Sequence, residues 1–157
     1  MTGPYGHHAC REIASMSFSG RCACGAVSAT ISASQPVTVR QCWCRQRQQA
    51  AAGGSTNNAI FPAENVELTG TLGTFSYVAP SGNTLTQFFC PDCGTPVMAQ
   101  SSGRMHLRTM RLGFLDPGHG LEPEMVIWTS EAPPWAQIDT RAQTFEGQPP
   151  APPVPAQ

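Results

Sequence analysis

The sequence predicts a mainly β protein with a single domain over residues 17–147 of its 157 residues. Short segments that alternate apolar and polar residues, or are rich in β-branched and aromatic residues, recur along the chain, as in half-buried strands. Glycine and proline lie between these segments and supply the turns. No stretch of about 12 residues has the apolar spacing of an amphipathic helix.

Five segments carry the strand signal. In chain order they are GAVSATI (25–31), GTFSYVA (73–79), TLTQFF (84–89), RMHLRTMRL (104–112) and EMVIWTS (124–130). The turn signals between them lie at Gly70, 80–83, 116–120 and 133–134. One short helix is predicted over residues 45–52, and Gly53 and Gly54 end it.

The two ends of the chain differ in composition from the predicted domain. Residues 1–16 mix glycine, proline, histidine and charged residues, which predicts a flexible leader, with Met16 as an alternative start. Residues 148–157 are predicted to be a proline-rich disordered tail, because five of the last nine residues are proline. Packed structure is therefore expected in the middle of the chain.

The charge and hydropathy of the chain exclude several classes of partner. The formal net charge is −1, so there is no electrostatic reason to expect nucleic acid or an anionic membrane. The sequence contains neither a run of about 18 apolar residues, the length of a membrane span, nor an apolar signal core near its start. We therefore expect a cytoplasmic protein.

Six of the seven cysteines form three close pairs, which is the strongest chemical signal in the chain. A reducing cytoplasm disfavours disulfides and favours metal binding. Cys22 and Cys24 in GRCACG and Cys90 and Cys93 in CPDCG are each followed by glycine, and together they offer four thiolates to a tetrahedral zinc ion. If the first pair enters a strand, both of its sulfurs face one side. Four buried free cysteines, or a redox C-x-x-C pair, are the alternatives.

Several longer motifs occur together: G-x-C-x-C-G-x-V, C-x-C, SGN followed by FFCPDCGTPV, LGFLDPG, and IWTSEAPPW. From Gly20 to Pro149 the chain resembles the glutathione-dependent formaldehyde-activating enzyme family, whose zinc domain is shared with centromere protein V. The resemblance implies coiled antiparallel β-sheets that form a zinc-stapled, sandwich-like single domain. It also implies a structural zinc whose ligands are Cys22, Cys24, Cys90 and Cys93.

The resemblance further implies a second, catalytic zinc that is held by a C-x-C-x-x-C run. Three thiolates leave one position open, where a substrate thiol loses its proton and attacks formaldehyde, or releases it in reverse. This is carbon–sulfur lyase chemistry on S-(hydroxymethyl)glutathione or a related small thiol adduct. Cys42 and Cys44 match the run as candidate catalytic and metal-ligating residues. Arg47 stands at the third position and cannot ligate zinc, because a guanidinium offers no lone pair.

Arg47 leaves the second zinc site incomplete, and the sequence offers few replacements. The candidate ligands are His106 in a predicted strand, His119 in a predicted turn, and His7, His8 and Cys10 in the leader. A disulfide between Cys42 and Cys44 is the other alternative, but a bridge that spans one residue is strained. The second zinc is therefore doubtful from the sequence.

Arg47 itself has two interpretations. As a substrate-binding residue it would grip a carboxylate, such as one from glutathione, and favour the thiolate forms of Cys42 and Cys44. As a structural residue it would be an exposed arginine on the short helix, and the sequence favours this plainer interpretation.

Four other residues are interpreted mainly as structural. Trp43 is expected in the core, and Asp116 is expected to form a turn. Trp128 and Trp135 are expected to pack the end of the sheet, or to line the mouth of a pocket.

The sequence therefore predicts a zinc protein of this family with nominal lyase activity. The alternative is a non-catalytic, zinc-stabilised binding or carrier domain. The expected partner is a small-molecule thiol such as glutathione, and neither nucleic acid nor a membrane is expected. The sequence is also compatible with a homo-oligomer.

Overall fold

The computed structural model describes residues 17–150. The predicted leader with its His7, His8 and Cys10 cluster, and the predicted tail beyond residue 150, lie outside the described residues.

The described residues contain eleven strands, one α-helix and three short 3-10 helices, so the mainly β prediction is confirmed. The strands are β1 (Phe18–Arg21), β2 (Ser28–Ile31), β3 (Thr38–Cys42), β4 (Thr56–Pro62), β5 (Val66–Thr69), β6 (Gly73–Val78), β7 (Thr84–Phe89), β8 (Pro96–Ser101), β9 (Leu107–Arg111), β10 (Met125–Ile127) and β11 (Gln143–Thr144). The α-helix is α1 (Arg45–Ala50), and the 3-10 helices are Ala63–Asn65, Ser102–Arg104 and Thr129–Glu131.

The strands form two sheets. The smaller has the order β1-β2-β5, and the larger has the order β11-β10-β3-β4-β9-β8-β7-β6. Strand β10 runs parallel to both of its neighbours, β3 and β11, whereas the other strand pairs are antiparallel. The predicted antiparallel sheets are therefore right for most pairs, and β10 makes the larger sheet mixed.

The hydrophobic core lies where the two sheets pack together. Its buried members include Ala29 and Ile31 from β2, and Ala59, Phe61 and Met110 from the larger sheet. Side chains alternate between the two faces of a strand. One face of the larger sheet is therefore apolar and covered by the smaller sheet.

The opposite face of the larger sheet is polar. Arg40, Asn58 and Arg111 lie directly opposite one another on the neighbouring strands β3, β4 and β9. All three are buried, although they alternate with the core residues along their strands. This face forms the floor of the pocket described below.

The local sequence patterns located some helices and strands correctly and missed others. The predicted helix is present, and the chain leaves it through Gly53, whose φ of +97° favours glycine. The prediction of a strand over residues 104–112 is wrong at its start, because Ser102–Arg104 is a 3-10 helix and the strand begins at Leu107. Strands β3 and β4 carry buried polar side chains, so they lack the apolar alternation that marks the other strands. None of the helices within residues 17–150 is long and apolar enough to cross a membrane.

Candidate functional site

Four cysteines meet in a cluster that fits a metal ion. The sulfurs of Cys22, Cys24, Cys90 and Cys93 all lie within 4.8 Å of one another. The Cys24 sulfur is 3.6 Å from that of Cys22 and 3.7 Å from that of Cys90. A tetrahedral zinc ion with sulfurs at about 2.3 Å requires sulfur–sulfur distances of about 3.8 Å. The donor set and its spacing therefore match a four-thiolate site.

Two turns closed by glycine build this cluster. The Gly25 amide donates to the Cys22 carbonyl at 3.0 Å, and the Gly94 amide donates to the Cys90 carbonyl at 2.8 Å. Both glycines have left-handed backbone, with φ of +80° and +74°. Cys22 follows the end of β1 and Cys24 lies in the turn. The pair therefore does not lie in a strand, and the tight turn brings its sulfurs together instead.

Polar groups around the sulfurs favour negative charge. The Val27 amide donates to the Cys22 sulfur at 3.2 Å, and the Thr95 hydroxyl lies 3.1 Å from the Cys93 sulfur. That hydroxyl is the largest cause that lowers the pKa of Cys93 to about 5. The Ala26 amide acts to lower the pKa of Cys24, but the neighbouring sulfurs, Cys22 first, raise it to about 12. Crowded thiols resist further ionisation, and a bound cation removes that resistance.

A pocket lies on the polar face of the larger sheet. Its inner part is a cavity of about 100 Å³ whose lining includes Arg40, Cys42 and Asn58. It shares Cys44 and Trp128 with a wider groove of about 680 Å³. Cys42 is the last residue of β3, and Cys44 immediately precedes α1. Cys44 therefore lies where the cavity meets the groove, and Cys42 lies in the lining of the cavity.

Arg47 is buried in this pocket. Its side chain is 8 % exposed, and its Nη1 donates to the Gln87 Oε1 at 2.7 Å. The prediction of an exposed arginine is wrong, because the first turn of α1 directs this position against strand β7. Arg47 therefore occupies the pocket at the position where the family run has a third cysteine.

The two thiols of the pocket have opposite acidities. A hydrogen bond with Cys42 is the largest cause that lowers the pKa of Cys44 to about 6, and the charge of Arg47 adds to it. The same hydrogen bond, followed by burial, raises the pKa of Cys42 far above its ordinary value. As expected, the charge of Arg47 acts to lower the pKa of both thiols, but at Cys42 the hydrogen bond and burial outweigh it. One proton shared between two thiols gives one thiolate and one thiol.

The described residues supply no third ligand beside Cys42 and Cys44. The four-cysteine cluster is the one group of three or more His, Cys, Asp or Glu residues within 17–150 that could share an ion. His106 is exposed in the turn before β9, not in a strand, and the His119 Nδ1 accepts the Leu121 amide at 3.0 Å. The pocket residues therefore do not fit a catalytic zinc. Cys42 and Cys44 are free thiols in the structure.

The tryptophans and Asp116 have mostly structural contacts. Trp43 is buried, and Trp135 packs edge-on against it with ring centroids 6.1 Å apart, although Trp135 remains 67 % exposed. Trp128 lines both the cavity and the groove, which fits the alternative of a residue at the pocket mouth. Asp116 accepts hydrogen bonds from Ser19 and Arg21, so it joins its turn to β1.

The sequence did not point to the arginines that surround Cys42. Arg40 and Arg111 lie in one row with Asn58 across three strands, and Arg104 reaches the cavity from the 3-10 helix before β9. One local signal was present. In VRQC, Arg40 stands two residues before Cys42, so the two share a strand face. The row itself depends on strand register, which no local motif encodes.

The comparisons with known proteins agree with the motifs. Residues 17–131 match the model of the glutathione-dependent formaldehyde-activating enzyme family, a range that includes both cysteine-rich sites. None of the curated proteins matches the chain. A crystal structure of a Rhodobacter sphaeroides protein is similar, with 18 % identity over 67 % of this chain and 91 % of that chain and a TM-score of 0.52. At this identity the likeness shows the fold alone.

Proposed function

The chain belongs to the glutathione-dependent formaldehyde-activating enzyme family, and on that premise we propose that it is a zinc protein with carbon–sulfur lyase activity. The proposed substrate is S-(hydroxymethyl)glutathione or a related small thiol adduct, and the proposed location is the cytoplasm. The observation that carries this proposal is the position of Cys44 where the cavity meets the wider groove, with Cys42 in the lining of the cavity. The groove has room for a peptide-sized thiol, and the junction holds reactive sulfur.

We propose that the four-cysteine cluster binds zinc as a structural ion. Four thiolates in a closed tetrahedron leave no open position for a substrate, so this ion would stabilise the fold without taking part in the reaction. Cys22 and Cys24 follow β1 of the smaller sheet, and Cys90 and Cys93 follow β7 of the larger sheet. Bound zinc would therefore tie the two sheets together.

The reaction is proposed to proceed with the protein groups of the pocket. When the adduct breaks, its carbon–sulfur bond cleaves, the electron pair stays on the substrate sulfur, and the hydroxyl proton leaves as formaldehyde forms. Cys44 is proposed to accept that proton. The buried guanidinium of Arg47 is proposed to stabilise the substrate thiolate that departs. Cys44 and Arg47 are given these roles because both side chains line the cavity.

Exchange spectroscopy by nuclear magnetic resonance tests this activity. Glutathione and formaldehyde are mixed at equilibrium, and the rate of hydroxymethyl exchange is measured with and without protein. Catalysis should exceed the spontaneous rate and should fall to it in Cys44→Ser. The matched control is Thr56→Ser, a buried hydroxyl directly opposite Cys42 in β4, which should keep the exchange rate. An exchange rate that the wild-type protein does not change would refute the proposal.

One observation favours a second candidate, a non-catalytic binding or carrier domain. Arg47 is buried where the family run has its third cysteine, and it removes a ligand from the catalytic zinc site. On this alternative the pocket would bind a small thiol without turnover. Binding of glutathione by calorimetry, together with exchange at the spontaneous rate, would select this candidate over the lyase.

A further inference from the structure

Three arginines converge on the cavity. Arg40 from β3, Arg47 from α1 and Arg104 from the 3-10 helix before β9 all line it. Arg40 is 5 % exposed and Arg47 is 8 % exposed, whereas Arg104 is half-buried. Arg111, 4 % exposed, lies in the same row as Arg40. A guanidinium stays protonated in proteins, so this part of the pocket carries several positive charges.

These charges lack carboxylate partners within residues 17–150. The ion pairs there are Arg21 with Asp116 and Arg141 with Asp139, and none of these four residues lines the cavity. Two glutamates lie nearby, but each is engaged with the backbone. The Glu124 carboxylate accepts the Val39 amide, and the Glu131 carboxylate accepts the Arg45 amide.

Buried charge without a partner is costly, and the structure shows that cost. Burial, and then the charge of Arg104, lower the pKa of Arg40, and the charge of Glu124 offsets them only in part. Burial, and then the charge of Arg47, lower the pKa of Arg111. A protein keeps such an arrangement when a bound ligand supplies the missing opposite charge.

Donor groups around the cavity lack acceptors as well. The Nε of Arg40 and the Nε2 of Gln100 are buried, and neither has a hydrogen-bond partner among the described residues. Both residues line the cavity. The Gln87 Oε1 accepts from both Arg47 and Arg111 at 2.7 Å and 2.5 Å, and so holds these two like charges at one point. An excess of donors that is fixed in place favours the binding of an acceptor group.

We infer that the cavity is a preformed site for a small oxyanion, a carboxylate or sulfate-like group held by Arg40, Arg47 and Arg104. The cavity of about 100 Å³ equals the volume of about three water molecules, which suits one such group. The adjoining groove of about 680 Å³ has room for the remainder of an organic molecule. The inference of an oxyanion site does not depend on the proposed lyase function. Only the identification of the ligand as a thiol that carries a carboxylate rests on that function.

Thermal unfolding of the zinc-loaded protein tests the site. Sodium sulfate is titrated against sodium chloride at matched ionic strength, and the melting temperature is recorded by circular dichroism. At about one hundred times its dissociation constant, sulfate should raise the melting temperature by about 5–10 °C over chloride. Equal effects of the two salts would overturn the inference.

Two variants separate ligand binding from a structural role. Arg40→Met removes the unpaired buried charge, so it should melt at or above the wild-type temperature without sulfate and should lose the sulfate shift. Arg141→Met removes the same charge from an exposed side chain and should keep the shift. If Arg40→Met melts well below wild type and keeps the shift, Arg40 is structural and the inference fails. If Arg40→Met fails to fold, Arg104→Gln at the half-buried edge of the cavity takes its place. This variant should bind sulfate at least tenfold more weakly than the wild type, as measured from the melting-temperature shift. An unchanged affinity would overturn the inference.

A further arm identifies the source of the oxyanion. Glutathione and glutathione diethyl ester, whose carboxylates are masked, are compared by calorimetry. Binding of glutathione that is at least tenfold tighter than that of the ester supports an organic carboxylate, whereas equal binding beside a positive sulfate shift assigns the site to a free inorganic anion. Cys44→Ser should keep the sulfate shift. A sulfate shift without hydroxymethyl exchange would refute the lyase alone, and exchange without a shift would refute the oxyanion site alone.

Discussion

The replacement of Cys93 by serine tests whether the four-cysteine cluster holds the domain together. The Cys93 side chain is exposed, and serine differs from cysteine by one atom. The substitution therefore costs little packing energy, in contrast to a change at the fully buried Cys90. Any large loss of stability in Cys93→Ser must then come from loss of the metal that we propose the cluster binds.

The magnitude follows from the place of the cluster between the sheets. Structural zinc sites contribute about 10–16 kcal/mol of apparent binding free energy, whereas the net stability of a whole domain is about 5–15 kcal/mol. One thiolate is a quarter of the donor set, and its loss also leaves the three remaining sulfurs without a complete tetrahedron. We expect Cys93→Ser to lose most of this stabilisation and to be unfolded or insoluble at 25 °C.

Metal content by inductively coupled plasma mass spectrometry and urea unfolding by circular dichroism check this result. Cys44→Ser is the control, because it removes a thiol from the pocket and leaves the cluster intact. It should retain its zinc and stay folded, losing only the stability that the one pocket thiolate contributes. A Cys93→Ser protein that holds about one zinc per chain and melts like its parent would refute the reasoning.

Three further predictions concern the pocket and the turns. Arg47→Cys supplies a third thiolate, so zinc should rise from about one to about two ions per chain; two ions in the wild type would contradict the lost-ligand account. The pKa of Cys44 is about 6, against an ordinary value of 9.0. The rate at which iodoacetamide alkylates Cys44 in the zinc-loaded protein should therefore be half-maximal near that pH. The stability that this thiolate contributes is fully present above pH 9 and is lost as the pH falls through about 6. Cys42→Ala removes the main cause of this shift and should raise the midpoint, and an unchanged midpoint would show that the hydrogen bond is not the cause. Gly94→Ala should cost about 1–2 kcal/mol in urea unfolding because its backbone is left-handed, whereas Gly113→Ala, where an added methyl group has open space and ordinary backbone, should change stability by less than about 0.5 kcal/mol. Equal costs at the two glycines would argue against backbone strain.

The proposed metal cluster and the pocket differ in how far local sequence determines them. Each turn of the cluster is encoded by a few consecutive residues, since Gly25 and Gly94 set the left-handed backbone that brings each sulfur pair together. The two pairs could therefore be matched as ligands before any fold was known. Even so, the sulfurs of Cys22 and Cys24 meet in a turn and not on a strand, because the chain bends directly after β1.

The pocket shows the limit of the same reasoning. The run around Cys42 and Cys44 revealed a missing ligand, and the short helix after it was placed correctly. The burial of Arg47 was not predicted, because a six-residue helix gives no periodic signal for which side faces inward. Arg40 and Arg111 were not predicted as a pair either, because they lie 71 residues apart in the chain and meet through β4.

The sequence by itself determined the mainly β class, the four cysteines that meet in the cluster and the absence of a third cysteine at position 47. Each of these is a property of neighbouring residues: strand alternation, the backbone freedom of a glycine, or the lack of a lone pair on a guanidinium. The tertiary structure decided what replaces the missing ligand. Strand register aligned Arg40, Asn58 and Arg111 across three strands, and packing of α1 placed Arg47 beside them. Burial then turned ordinary surface residue types into a cluster of positive charge without ion pairs, because their solvation was lost and no carboxylate within residues 17–150 pairs with them.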